Sequence, residues 1–369
     1  MNYRSTSVAA QEIGLPSQEY LTCHPDDRIL ITGAAGFIGP RVLQCLLDLG
    51  FRNLLCFVRP SSDVTALKAV IERGPSGARI EVLKGNLLSQ ENCETASKDV
   101  VLVFHLAAGK GEKSFPDVFL NSVVGTRNLL DANLRCGRVR RFVLVSSFTV
   151  YTNCKKPKGR LLDESCPIEE HPELRGEAYC FAKVRQEQLV TDYGKNRGIP
   201  YVMIRPGSVY GEGTREITGR VGIRTFGPFL HLGGSNTIPF TYVENCAEAI
   251  VRAGLIKGID GEIFNVVDDD LPTSRHFLRL YKRNAGRFNS IYVPRFVSYV
   301  LCFLWERYSS WSVGQLPPVF NRRRWHVDWK KTQYSNEKLK ARLGWMPKVP
   351  TAEGLRRYTE ASRGNGRHA

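Results

Sequence analysis

The sequence predicts an α/β fold: a Rossmann-type doubly wound parallel sheet with a smaller C-terminal substrate lobe. Three observations carry this. Short, nearly uninterrupted apolar runs recur up to residue 204; stretches with apolar residues at helical spacing separate them; and a glycine-rich loop joins the first run to the first helix. Strands buried on both faces need apolar side chains throughout, and helical crossovers return the chain so that such strands lie parallel.

Taken in order, Arg-Ile-Leu-Ile-Thr at 28–32 is the first strand, and residues 40–49 form a helix after the glycine loop. Residues 54–58 form the second strand, 65–72 a helix, 80–84 the third strand and 100–104 the fourth. A long helix is expected over 119–134, a fifth strand over 141–146, a helix over 177–193 and a sixth strand over 201–204. After Gly211 the rhythm breaks into glycine- and proline-containing loops, with a helix over 240–251 and a late strand over 261–267. The expected organisation is a loose N-terminal extension (1–27), a Rossmann domain (28–211), a substrate lobe (212–361) with segments returning to the sheet, and a disordered tail (362–369).

Bulk properties narrow the function. At 369 residues and 42% hydrophobic, the chain can bury a substantial core. Its 52 Lys and Arg against 36 Asp and Glu suit anionic partners, and read equally as a generally basic surface. No zinc-finger spacing, aromatic RNA-binding signature or long basic helix supports nucleic acid. The ten cysteines are scattered without a CxxC pair, as expected of reduced core residues. The seven histidines show no HExxH or other ligand spacing, so no metal is expected. The N-terminus lacks a signal-peptide pattern, which points to a cytoplasmic protein. The most apolar stretch, 296–305, is half the ~20 residues that span a bilayer, leaving peripheral membrane contact open.

The glycine loop, Thr32-Gly33-Ala-Ala-Gly36-Phe37-Ile38-Gly39, follows a strand and opens a helix. Glycines let the backbone turn tightly and approach a pyrophosphate, while a helix start offers free N–H groups and a positive dipole end. The spacing is GxxGxxG, and in this setting it implies a bound dinucleotide. At the end of the second strand an acidic residue would grip the adenosine ribose hydroxyls. The chain has Arg59 there, which suits a 2′-phosphate, so NADP is expected over NAD. Asp63 nearby keeps NAD open.

Tyr179 and Lys183 lie four residues apart and share one helix face. A phenol ionises near ~10. An ammonium beside it, with the nicotinamide charge, pulls that value toward neutrality. Tyr179 then serves as general base in oxidation and general acid in reduction. Lys183 also reaches the nicotinamide ribose. Ser147 closes the fifth strand at the sheet's carboxyl edge, where its hydroxyl can hold the substrate oxygen. Alone, the Tyr-Lys pair reads as a surface pair and the serine as a strand-end turn. Loop, serine and pair in this order describe hydride and proton transfer at a carbon–oxygen centre.

These motifs resemble the extended short-chain dehydrogenase/reductases, the NAD(P)-dependent epimerase/dehydratase family, from about residue 28 to 358. The glycine loop is similar to the family's cofactor loop. His105-Leu106-Ala107-Ala108 is similar to its strand-four motif, whose small residues pass over the cofactor, and Asn121 lies in the helix after it. Ser146-Ser147-Phe-Thr-Val-Tyr151 is similar to the catalytic-serine strand, and its offset to Tyr151 selects Ser147. The resemblance implies cofactor contacts from Gly33, Gly36, Phe37, Ile38, Gly39, Arg59, Asn86, Leu87, Leu106, Ala107, Ala108, Tyr179, Lys183 and Pro206. It implies catalysis by Ser147, Tyr179 and Lys183. It also implies a homodimer through the helices at 119–134 and 177–193, and a small-molecule substrate.

Departures from the family pattern narrow that substrate. Phe148-Thr149 replaces the Asp-Glu pair that family sugar dehydratases carry after the catalytic residue, which argues against 4,6-dehydration. Ser208 replaces an asparagine that many nucleotide-sugar members use, and Asn86 stands where an aspartate often contacts adenine. The Arg205-Pro206 motif and the apolar helix at 293–305 are similar to 3β-hydroxysteroid dehydrogenase relatives, although that helix also reads as plain core. The expectation is a 3β-hydroxysteroid-dehydrogenase-like oxidoreductase. The alternatives are a UDP-sugar 4-epimerase or reductase, and a non-catalytic dinucleotide sensor or scaffold. His105 reads as structural, and Arg322, Arg323 and Arg324 as a solvated face.

Overall fold

The computed structural model describes residues 17–109, 114–154, 160–214, 217–225, 227–312, 315 and 320–364. Its centre is a seven-stranded sheet of β1 (Arg28–Thr32), β2 (Asn53–Val58), β3 (Arg79–Lys84), β4 (Val100–His105), β5 (Arg141–Val145), β6 (Tyr201–Pro206) and β7 (Ile263–Val266). The order is β3-β2-β1-β4-β5-β6-β7, and every neighbouring pair is parallel. The order reverses between β1 and β4, which opens a crevice at their carboxyl ends.

Alternation along β1 shows why the strands read as apolar runs. Ile29 and Ile31 enter one core with Val42, Leu46 and Ile250, while Leu30 enters another with Leu129 and Met203. The helices that bring these residues are α1 (Gly39–Asp48), α2 (Thr65–Glu72), α3 (Gln90–Ser97), α4 (Phe115–Phe119), α5 (Gly125–Cys136), α6 (Ala178–Arg197) and α7 (Val243–Leu255). Helices α1 and α7 pack together over one face; α3, α5 and α6 pack over the other.

Beyond α7 come α8 (Ser274–Asn284), α9 (Arg295–Trp311), α10 (Arg322–Asp328), α11 (Glu337–Leu343) and α12 (Thr351–Gly364). Helices α8 and α12 share an aromatic core with two short strands: Tyr210 and Phe240 rings lie 4.7 Å apart, and Phe240 and Phe277 rings 5.0 Å apart. α7, β7 and α11 instead pack within the sheet domain. All ten cysteines are free thiols.

Several elements differ from the sequence reading. Phe240–Tyr242, expected as the first helical turn, is a strand parallel to Ser208–Tyr210, and helix α7 starts after it. Helix α3 was not anticipated; it is polar and buries only Cys93, Ala96 and Ser97. The long helix expected over 119–134 runs as α4, a π-helical turn at Leu120–Val124, and α5. The extension read as loose is docked at its end: Leu21 and Cys23 are buried, and Thr22 N–H donates to the Leu255 carbonyl at 2.7 Å. The first sixteen residues of that extension, and residues 365–369 of the tail, lie outside the described residues. Helix α9 is not core: it buries only Ser298, Cys302 and Ser309 and turns its large apolar side chains outward.

Candidate active site

The loop after β1 is shaped by its glycines. Gly33 has φ +69°, and a Cβ on it would stand 2.8 Å from the Ala107 nitrogen, so strand β4's end closes directly over the loop. A Cβ on Gly39 would stand 2.3 Å from the Ala34 carbonyl oxygen, so α1 rests on the loop backbone. Gly36 differs. A Cβ there would meet only the Gly33 oxygen, at 3.1 Å, and otherwise point into open space. Ile38 precedes α1 and offers no side-chain cap, so no side chain of its own closes the helix start to an anion, although Pro40 has no N–H and the Arg41 N–H donates to the Ile38 carbonyl at 3.1 Å. Phe37 lies under the Arg41 guanidinium at 5.4 Å.

The other expected cofactor residues ring this loop. Leu106, Ala107 and Ala108 are half-buried at the end of β4. Arg59 is exposed at the end of β2. Asp63 is engaged elsewhere: its carboxylate accepts from the Thr65 N–H at 2.9 Å and hydroxyl at 2.6 Å, which holds its pKa below the usual range. The Asn86 side-chain amide oxygen accepts from Leu88 N–H at 3.0 Å; Leu87 and Pro206 are buried. An open glycine surface, an uncapped helix start and small residues opposite them fit a dinucleotide pyrophosphate.

Across the crevice, Ser147 follows β5 and accepts from Thr149 N–H at 3.2 Å. Its side chain lies close enough to the phenol of Tyr179, which enters from the first turn of α6, to lower that phenol's pKa. One turn on, Lys183 is buried and donates to the Val145 carbonyl at 2.7 Å. Burial pushes the Tyr179 phenol up to about 12, and the nearby Ser147 hydroxyl opposes that rise. The lowering expected from the Lys183 charge is not produced within the chain: the ammonium lies 5.9 Å from the ring centre and is tethered to the strand. Burial lowers Lys183 itself to about 8 against the pull of Glu187.

Ser147 faces a cleft of about 200 Å³ whose walls are mainly polar, including Arg175, Glu177, Ser208, Thr218, Arg220 and Arg324. Arg175 is held by Glu177 at 2.8 Å and by Thr149, and Arg220 by the Val327 carbonyl at 2.8 Å.

A family model described as NAD dependent epimerase/dehydratase family matches residues 29–266, most of the chain. The chain belongs to this family. It is an NAD(P)-dependent enzyme of the extended short-chain dehydrogenase type. Among relatives of this family member, a 3beta-hydroxysteroid-dehydrogenase/decarboxylase (isoform 2) of Arabidopsis thaliana is 26% identical over 90% of this chain and 61% of its own. A trifunctional UDP-glucose 4,6-dehydratase/UDP-4-keto-6-deoxy-D-glucose 3,5-epimerase/UDP-4-keto-L-rhamnose-reductase of Arabidopsis thaliana is 29% identical over 66% of this chain and 37% of its own. The chain thus spans from little more than a third to about three fifths of these relatives' length. A solved UDP-glucuronic acid 4-epimerase from Bacillus cereus, in complex with UDP-glucuronic acid and NAD, has the same fold, with a TM-score of 0.69 and 22% identity. It covers 91% of this chain and 99% of its own.

The remaining family motifs serve packing. His105 is buried between Thr32, at 2.7 Å, and Thr126, at 2.8 Å. The Thr126 hydroxyl donates to the Ser122 carbonyl, so His105 Nε2–H donates to Thr126 and Nδ1 accepts from Thr32. Burial, with Lys183, lowers its pKa to about 3, which keeps it neutral. Arg205 forms a buried two-bond pair with Glu187 at 2.8 and 2.6 Å and lies 4.7 Å from the Tyr151 ring centre. The arginine run divides. Arg322 pairs with Glu306 and Arg323 with Glu169, while Arg324 reaches the cleft, so one of the three does not belong to a solvated face. Arg175, Glu177, Thr218, Arg220 and Asp328 also line the cleft and were not singled out from sequence; they stand in loops or short elements without motif spacing. Among the described residues no group of His, Cys, Asp and Glu could hold a metal ion.

Proposed function

We propose that the chain interconverts a secondary alcohol and its ketone, with NADP as the preferred dinucleotide and an acidic group on the substrate. The proximity of the Ser147 hydroxyl to the Tyr179 phenol, with Lys183 one turn away, carries this reading. When bound, the nicotinamide supplies or accepts the hydride. Ser147 holds the substrate oxygen, and Tyr179 removes its proton in oxidation or returns it in reduction. Lys183 holds ribose hydroxyls. Exposed Arg59 suits a 2′-phosphate, and Asp63 is occupied by Thr65, which supports NADP over NAD.

For the substrate, the hydroxysteroid type is supported by the relative whose similarity extends over 90% of the chain. The cleft's arginines, Arg175, Arg220 and Arg324, outnumber its carboxylates, Glu177 and Asp328, by one, and that excess favours an alcohol that carries a carboxylate or phosphate. The cleft is small, so it receives the reacting end of a substrate rather than its whole length. A second reading, 4-epimerisation of a nucleotide sugar, draws on the same arginines and on a transient ketone re-reduced on its other face. Dehydration is not supported: Phe148 and Thr149 stand beside Ser147, and neither can move a proton as a carboxylate does.

Replacing Tyr179 by Phe tests the core of this. Turnover should fall by roughly 10² to 10⁴, with dinucleotide affinity nearly unchanged. Retained activity would remove Tyr179 as the acid–base residue. Net NADPH formation from a hydroxysteroid carboxylate marks the first reading. Conversion of a UDP-sugar without net NAD(P)H marks the second. Faster turnover with NAD than with NADP would reverse the cofactor assignment.

A further inference from the structure

Helix α9 has its faces reversed relative to a helix on a water-soluble lobe. It buries the small residues Ser298, Cys302 and Ser309, while Phe296 (78% exposed), Leu301, Leu304, Tyr308 and Trp311 (76% exposed) face outward. Nine of the seventeen exposed large hydrophobic residues among those described fall between 291 and 311. Scattered apolar residues on a surface are ordinary; a contiguous stripe marks a contact.

Charge identifies the occupant. Residues 272–311 carry seven Lys and Arg but one acidic residue, Glu306, and that one is paired with Arg322 at 2.8 Å. On α8, Arg275, Arg279 and Arg283 recur every fourth residue and are all exposed. The Arg275 guanidinium lies 5.5 Å from the ring centre of Tyr292, in the exposed strand Ser290–Tyr292 that leads into α9, so the basic and apolar stripes are neighbours. A second copy docked here by two-fold symmetry would set one basic segment against the other. An anionic bilayer accepts both stripes. No helix among the described residues is long and apolar enough to cross a membrane, so the contact lies along the surface.

We propose that α8 and α9 form a docking face for an anionic lipid bilayer. The apolar side chains of α9 enter the headgroup boundary, and the arginines of α8 meet the acidic headgroups. The face is coupled to the site: Trp325 of α10 donates to Ser298 of α9 at 2.9 Å, and α10 supplies Arg324 and Asp328 to the cleft. Docking therefore sets the cleft wall one helix away from the lipid. The proposal stands on the surface alone and does not depend on the substrate assignment.

The test is co-sedimentation of the full chain with phosphatidylcholine vesicles, with and without phosphatidylserine, at low and high salt. Expected are binding to the acidic vesicles, at least tenfold weaker binding to phosphatidylcholine alone or at high salt, and a blue shift of tryptophan fluorescence from Trp311. The triple variant Phe296→Ser/Leu304→Ser/Trp311→Ser should lose at least tenfold in vesicle affinity while still binding dinucleotide. Arg279→Glu/Arg283→Glu should do likewise. Failure of the parent chain to bind acidic vesicles, unchanged binding by the folded triple variant, or its conversion from dimer to monomer would each overturn the proposal. Should the triple variant misfold, the lipid and salt dependence of the parent chain and its fluorescence shift still decide.

Discussion

At the residue scale, two glycines three positions apart have different jobs, and substitution separates them. A methyl group on Gly39 drives into the Ala34 carbonyl oxygen, a backbone atom that cannot swing aside. Gly39→Ala should therefore cost about 2 kcal/mol or more of folding stability, at the upper part of the overpacking range. A methyl group on Gly36 meets only the Gly33 carbonyl oxygen, at 3.1 Å, an approach that a shift of a few tenths of an ångström relieves, so Gly36→Ala should leave stability within about 1 kcal/mol. Its methyl would instead occupy the space a pyrophosphate needs, and dinucleotide affinity should fall at least tenfold. Urea unfolding and calorimetric titration of the two variants check this. Equal stability loss in both would mean that the loop is a packing element rather than a cradle. Both glycines were legible in the sequence because the loop's spacing is dictated by backbone geometry. The Tyr179 phenol was legible in position but not in electrostatics: its pKa depends on how deeply the helix start is buried, which no local pattern records.

At the element scale, the π-turn between α4 and α5 shows how the catalytic helix is held. Ser122 lies in that turn; its hydroxyl accepts from Gly109 N–H at 2.9 Å and its carbonyl from Thr126 and Gln186. Thr126 in turn meets His105, so β1, β4, α5 and α6 are joined by one buried polar network. The network works only with neutral His105. Its folded pKa of about 3 lies below the ordinary 6.5, so between those values the unfolded chain binds the extra proton. Stability therefore falls as pH drops from 6.5 toward 3. His231 and His326, both lowered to about 4, add to the same trend. His105→Gln should remove about 1 kcal/mol per pH unit from the slope of unfolding free energy between pH 6 and 4. An unchanged slope would mean that His105 is not kept neutral by burial. Which elements could be read follows from the same physics. Strands β1, β2, β4 and β5 are apolar because both faces are covered. α3 was missed because it buries one edge and is otherwise polar; Phe240–Tyr242 was misread because three strand residues merge into the apolar pattern of α7. α9 was misread because apolarity records a preference for leaving water, and not what receives it.

At the scale of the whole molecule, two apolar faces stand out among the described residues, and they call for different partners. One is α9, rimmed by arginines. The other lies where α4 and α6 meet: Phe115 and Phe119 pack on Phe181 with ring centres 5.7 and 6.2 Å apart, while Phe115 and Leu120 remain exposed. This face lies beside α5 and α6, neighbouring helices that can meet a copy of themselves side by side, and we propose it as the homodimer interface. The sheet-covering role of α5 and α6 could be read from their periodicity, but which side chains stay exposed on them could not, since that depends on the angle at which the helices pack. A stable dimer needs about 800 Å² buried per partner, and a charge at its centre is not tolerated unless paired. Leu120→Asp should therefore yield a monomer by light scattering, while the triple variant on α9 remains a dimer. A dimeric Leu120→Asp protein would exclude the helix-pair interface. A monomeric α9 variant would move the interface to α9 and leave no face there for lipid.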